Sequence, residues 1–168
     1  GVKWTTDEEG TWMAAWQSED ARKGTRGKDC DILVARSTDA GVSWTAPRRL
    51  NINASSDGAQ DWTPQVTTDA LGTWVAVWVR ATNDDADIWV ARSTDAGVSW
   101  TAPRRLDPNA ASDGADDWSP QVTTDALGTW VAVWDSRASL GGRIGKDADL
   151  LKVGSTDGGS KWATPVAL

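Results

Sequence analysis

Apolar and polar positions alternate along this 168-residue chain, or apolar residues cluster over four to eight positions, and no segment carries the stripe of an amphipathic helix. The pattern predicts strands from end to end. It is clearest between residues 63 and 106. Pro64 to Asp69 is polar and threonine-rich, as an innermost strand beside a central channel would be. Gly72 to Trp78 sets Trp74, Ala76 and Trp78 on one face and Val75 and Val77 on the other, so this strand should be buried on both sides. Asp87 to Arg92 and Trp100 to Leu106 complete a set of four. Pro103 marks the last as an edge strand, where a missing N–H is tolerated.

The set repeats. Val34 to Leu50 returns unchanged as Val90 to Leu106, and Pro64 to Trp78 as Pro120 to Trp134, each 56 residues on. From Asp7 to Asp69, and from Trp100 to Trp162, the displacement is 62. A period near 56 suits a propeller blade, since helical and leucine-rich repeats run shorter. The predicted fold is all-β: a single domain over 1–168, a β-propeller built from three four-stranded antiparallel blades at 1–50, 63–106 and 119–168. The joining stretches, Asn51 to Trp62 and Asp107 to Trp118, are rich in Asp, Asn, Ser, Ala and Gly and read as loops.

Between the third and fourth strands of each unit lies an octad, S-x-D-x-G-x-x-W. Its copies set Ser37, Asp39, Gly41 and Trp44 at the same spacing as Ser93, Asp95, Gly97 and Trp100, and as Ser155, Asp157, Gly159 and Trp162. A short polar run between strands predicts a hairpin turn. The Asp side chain accepts from backbone N–H groups of its own loop, the Gly takes a positive φ, and the Trp offers a large apolar surface to pack on.

The octad resembles the Asp-box of the sialidase-like, or BNR-repeat, β-propellers, and the resemblance covers all three units. It implies that the octads are structural fasteners placed away from an active site. Catalytic sialidases of that family have six blades, so three blades would make half a ring. An open fan would expose two apolar faces, and such exposure calls for a partner. The leading expectation is a homodimer closing one six-bladed ring. The other is a piece of a longer propeller, since the chain opens inside what reads as a strand.

Charge and composition narrow the function. Against 17 Lys and Arg stand 24 Asp and Glu, a formal net charge of −7, with a pI near 4.5. Nucleic acid and anionic membrane are therefore not expected as partners. No apolar run approaches the roughly 20 residues of a membrane span, and no signal-peptide pattern stands at Gly1. The resemblance implies an extracellular or cell-envelope location. The absence of His excludes His-based catalysis and the usual zinc sites, and the lone Cys30 permits no internal disulfide. Thirteen Trp with no Phe or Tyr, recurring at fixed repeat positions, are expected mostly in blade cores. Asp pairs precede each third strand (Asp29/Asp31, Asp85/Asp87, Asp147/Asp149), and Asp57, Asp61, Asp113, Asp116 and Asp117 cluster in the joining loops. Oxygen-rich loops suit calcium. These match no EF-hand spacing and read as turn formers, so no metal or cofactor is expected.

In four-stranded blades the loops after the second and fourth strands share one end, opposite the octads. A ligand site belongs there. The spacing from second to third strand is 15 residues in the outer units (Trp16 to Asp31, Trp134 to Asp149) and 9 in the middle one (Trp78 to Asp87). The longer loops are basic, with Arg22, Lys23, Arg26 and Lys28 in the first, and Arg137, Arg143 and Lys146 in the third. The ligand-binding candidates are Trp62, Trp118, Arg80, Asp135 and Arg137. Arg would hold a carboxylate and Trp would stack on a sugar ring, which makes an acidic carbohydrate a possible ligand.

Trp134-Asp135-Ser136-Arg137, followed by Gly141-Gly142, is similar to the D-x-R segment at the end of a sialidase second strand, whose Asp is the general acid/base in catalytic members. That role would fall to Asp135. The family's nucleophile is a Tyr assisted by a Glu, and this chain has no Tyr. Three arginines hold the substrate carboxylate there, one from an early F/Y-R-I-P segment, and nothing here matches it. The positions equivalent to Asp135 are Gln17 and Val79. A carboxylate without its nucleophile cannot run retaining glycoside chemistry. No catalytic residue is assigned, and the expected function is a non-enzymatic binding or scaffold propeller. The alternatives are a fragment of a larger sialidase-like glycoside hydrolase whose catalytic blades are missing, and an amplified structural repeat with no ligand.

Overall fold

A computed structural model describes residues 1–19, 29–50, 58–110, 114–140 and 147–168. The first sheet holds β1 (Val2–Thr6), β2 (Trp12–Ser18), β3 (Asp31–Ser37) and β4 (Arg48–Arg49). The second holds β5 (Gln60–Thr68), β6 (Trp74–Ala81), β7 (Ala86–Ser93) and β8 (Arg104–Arg105). The third holds β9 (Asp117–Thr124), β10 (Trp130–Ser136), β11 (Asp149–Ser155) and β12 (Val166–Ala167). In every sheet the strands lie in chain order and pair antiparallel. These are propeller blades, stacked face to face, with β1 beside β5 and β5 beside β9. Among the described residues no ring closure is present, and the three blades make an open, partial propeller.

Burial follows position in the stack. The middle blade is covered on both sides, and all eight residues of β6 are buried, as the double-faced apolar pattern predicts. Trp74, Ala76 and Trp78 face the first blade, packing with Met13, Ala15 and Val34. Val75, Val77 and Val79 face the third, packing with Trp130, Ala132 and Trp134. The outer blades bury one side only, so β10 alternates between buried and part-exposed residues. Only four of the tryptophans (Trp74, Trp78, Trp130 and Trp134) are fully buried, fewer than the repeat suggests; Trp12 and Trp16, at the places of Trp74 and Trp78, have no described blade on that side.

Strand boundaries depart from expectation in two places. The fourth strands shrink from seven residues to the pair Arg104–Arg105 and its equivalents. Thr101 N–H still reaches the Arg92 carbonyl at 2.8 Å, and Leu106 N–H the Ile88 carbonyl at 2.8 Å. Between them Pro103 has no N–H to give, so the ladder is interrupted. The first strands instead begin early, at Gln60 and Asp117, so Trp62 and Trp118 lie in strands and not in the joining loops.

The octads form the turns expected. Asp39 accepts from Ser43 N–H at 2.8 Å and from the Ser43 hydroxyl at 2.5 Å, and Ser37 Oγ accepts from Gly41 N–H at 2.9 Å. Asp95 and Asp157 repeat the arrangement with Ser99 and with Lys161 and Ser160. Positive φ begins one residue before the conserved Gly: Ala40 (56°) and Ala96 (54°) adopt it where the third copy has Gly158 (71°). The octad also locks blades together. Arg48 donates to the Gly97 carbonyl at 2.7 Å and also to that of Val98, Arg92 Nε donates to the Gly158 carbonyl at 2.5 Å, and Arg104 donates to the Ser160 carbonyl at 2.7 Å.

Each first-to-second strand hairpin carries a further Asp turn, outside the octads. Asp69 Oδ1 accepts from Leu71 N–H at 2.8 Å and Thr73 N–H at 2.9 Å, and Asp7 and Asp125 do the same in their blades. The sequence signal was T-T-D-x-x-G-T at Thr5, Thr67 and Thr123, with Glu-Glu or Ala-Leu between. The two turns of a blade are tied to each other, since Ala96 N–H donates to the Gly72 carbonyl at 3.0 Å.

Candidate functional site

At the end of the blades opposite the octads, two of the sequence candidates meet. Trp62 and Trp118 are stacked, with ring centroids 5.8 Å apart and planes inclined by 15°. Both stand on inner strands at equivalent places, each followed by a residue in the left-handed region, Thr63 (φ 49°) and Ser119 (φ 56°). The pairing register slips there in both blades, between Trp62 and Gln65 and opposite Val133 to Asp135. A bulge re-aims the side chain that precedes it, and two such bulges on adjacent strands present the two indoles to one another. Pro64 and Pro120, next in sequence, have no N–H to restore the ladder. The Thr63 amide donates instead to Gln17 Oε1 of the first blade at 3.0 Å.

The surroundings of Trp62 are fixed from below. Asp61 N–H donates to the Cys30 carbonyl at 2.8 Å, and Cys30 N–H donates to Gln60 Oε1 at 3.0 Å. Burial pushes the Cys30 thiol up, and the Trp62 indole beside it offsets part of that shift. The Asp61 carboxylate, fully buried, accepts from Trp78 Nε1 at 2.7 Å. Asp61 is therefore a core hydrogen-bonding group that positions Trp62's strand.

Trp118 is 37% exposed and lies opposite Asp135 in the β9–β10 register. Asp135 is itself exposed, and so is Arg137, whose backbone N–H donates to the Asp116 carbonyl at 3.2 Å. Trp62, Trp118, Asp135 and Arg137 thus occupy one end of the second and third blades. Arg80 stands apart. It is 9% exposed, and its guanidinium lies 4.5 Å from the centroid of Trp89, on the side of the sheet that faces the first blade. Arg105 approaches the same ring at 5.5 Å and pairs with Asp87 at 2.7 Å, as Arg49 pairs with Asp31 at 2.9 Å. One Asp of each of these pairs is therefore held in an ion pair within its blade. Among the described residues no group of three or more Cys, Asp or Glu stands close enough to hold a metal ion. Asp57, Asp113 and most of the basic loop residues (Arg22, Lys23, Arg26, Lys28, Arg143, Lys146) lie outside the described residues.

Two clefts of about 160 and 280 Å³ open between successive blades, but at the octad end. They are lined by Arg36, Arg48 and Gly97, and by Arg92, Arg104 and Gly159; Arg48, Arg92 and Arg104 among these lock one blade to the next. They belong to the scaffold.

No family model matches this sequence, and no curated protein matches it. Solved structures do. The chain aligns over 96% of its length with a Hadza microbial sialidase, at 20% identity and a TM-score of 0.65, covering 35% of that chain. An α-L-arabinofuranosidase of Fusarium graminearum, solved with arabinobiose, aligns over 99% at 16% identity and a TM-score of 0.66, with 47% of that chain covered. A protein of Dyadobacter fermentans described as of unknown function aligns over 99% at 20% identity and a TM-score of 0.64, with 50% covered. The fold is that of sialidase-like propellers, and the chain spans between a third and a half of the length of these three proteins.

Proposed function

We propose that this chain is the three-bladed part of a sialidase-like, glycan-acting propeller, and that the groups performing covalent chemistry lie on blades outside it. One observation carries this reading: nearly the whole chain superposes on carbohydrate-active propellers, yet accounts for only 35% and 47% of the two enzymes. The contribution of these blades is a glycan-contacting end. The exposed face of Trp118 suits the apolar face of a sugar ring, and Asp135 and Arg137 suit its hydroxyl and carboxylate groups. Asp135 alone cannot complete a retaining mechanism, because 168 residues without tyrosine supply no nucleophile of the sialidase kind. A stand-alone binding module is the second reading, favoured by that same missing nucleophile. An extracellular or envelope location goes with either, since both act on glycans.

Fluorogenic sialosides and arabinofuranosides incubated with this chain should stay at background, with Asp135→Ala as control. Turnover that disappears in Asp135→Ala would overturn the division of labour. Tryptophan fluorescence titrated with sialyllactose and with arabinobiose should show saturable quenching, lost in Trp118→Ala. A flat titration of the folded chain with both sugars would reject the glycan-contacting end.

A further inference from the structure

Each internal blade junction obeys one rule: the tryptophan face of a blade packs on the valine or methionine face of the blade before it. Trp130 and Trp134 cover Val75, Val77 and Val79, and Trp74 and Trp78 cover Met13 and Ala15. At the two ends the rule is left half-satisfied. The first blade presents Trp12 and Trp16, with Trp4 stacked on Trp12 at 5.3 Å and itself 63% exposed. The third presents Val131 and Val133. Among the described residues no element covers either face. The octad tryptophans report the same thing, for Trp100 and Trp162 pack into the junction cores while Trp44 stays 42% exposed.

The outgoing face is also altered in its polar groups. Where the second blade has Arg92 and Arg104, which reach the next octad, the third has Gly154 and Val166. Leu150 and Val166 add exposed apolar surface there, and Lys152 lies opposite Val133. An ammonium group facing a tryptophan-rich surface is stabilised by cation–π attraction.

We propose that the tryptophan face of one chain docks on the valine face of a second copy, and that the reciprocal contact closes a head-to-tail pair. The occupant is a second copy because the outgoing face is built on Pro120 to Trp134, identical in sequence to Pro64 to Trp78, the segment that forms the internal junction. One copy therefore ends with the surface that another copy's first blade lacks. The contact is heterologous, joining two different surfaces, and it leaves no open face only when the ring closes. In a longer protein the further blades of the proposed function would cover these same two faces, so the pairing is that of this chain on its own, and it stands whichever sugar, if any, the opposite end binds.

Light scattering of the isolated chain should give twice its mass of 17.9 kDa at concentrations of ~10 µM, a range in which a standard-sized interface holds. Trp4→Glu alone and Val133→Glu alone should each give monomers, because either change damages both contacts of the pair. Mixed together, they should form a one-to-one pair through the single contact that remains matched, visible by native mass spectrometry. That restored pair also shows both variants to be folded, and Trp12→Arg replaces Trp4→Glu if the latter does not fold. A wild-type monomer at ~100 µM, open-ended polymers, a dimer insensitive to Val133→Glu, or no pairing of the mixed folded variants would each overturn the proposal.

Discussion

The most informative single residues are the octad aspartates. Asp39 and Asp95 are held down to about 2 by the hydroxyl of the Ser four positions on, then by its amide, then by the Ser two positions before. Asp157 is lowered too, first by the Lys161 amide, then by the Ser155 hydroxyl. A carboxylate whose folded value lies below its ordinary 3.8 contributes stability that is complete above 3.8 and is lost as pH falls toward 2. Thermal melts between pH 5 and pH 2 should therefore show a falling midpoint, and Asp39→Asn with Asp95→Asn should flatten part of that fall. The groups are exposed, so the slope is small and shrinks further in salt. At this scale the sequence was readable because the chemistry is local: Ser, Asp and Gly two and four residues apart dictate the turn. The stack of Trp62 on Trp118 was not readable. It arises from two strands 56 residues apart, each bulged at a Trp-x-Pro step whose left-handed Thr63 and Ser119 nothing in their own side chains requires.

Among elements, the octad hairpins differ in what they touch, although their sequences nearly coincide. A Cβ on Gly41 would meet nothing nearer than the Trp44 ring at 4.0 Å, whereas on Gly159 it would stand 2.9 Å from Val75 Cγ2 of the preceding blade. Both glycines have φ near 80°. Gly41→Ala should thus cost about 1–2 kcal/mol, the penalty for an L-residue in the left-handed region. Gly159→Ala should cost a further ~1–3 kcal/mol for overpacking. Urea denaturation of the two variants measures the difference, and equal effects would mean that the third octad is not wedged between blades. Strand patterns predicted β6 and β10 well because alternation records which faces are covered. They overextended the fourth strands because Trp100, Thr101 and Ala102 look like strand while Pro103 after them has no N–H to continue the ladder. That is a ladder property, and hydrophobicity does not encode it.

For the whole molecule held as a monomer by Val133→Glu, protection should be graded from the middle outward. β6 is buried along its full length, whereas most of β1 and all of β12 are exposed. Native-state hydrogen exchange should find the slowest amides in Trp74–Ala81 and the fastest strand amides in Val2–Thr6 and Val166–Ala167. In the wild-type chain the head-to-tail pair should flatten this gradient, because it covers the outer faces. The all-β architecture, the blade count and the strand order were all legible from the repeat. The role of the arginines was not. Nothing in the sequence sets Arg48, Arg92 and Arg104 apart from other strand charges; only the folded chain shows their reach to the next blade's octad carbonyls.

A building tile whose left and right margins differ can be laid in only one direction, and it accepts a further tile without recutting. This chain has that property, because each internal junction sets a blade's tryptophan face on the valine or methionine face before it and is pinned by arginines from that earlier blade. Duplication of a unit of about 56 residues would lengthen the array without requiring new contacts, and nearly identical neighbours are what such growth leaves behind.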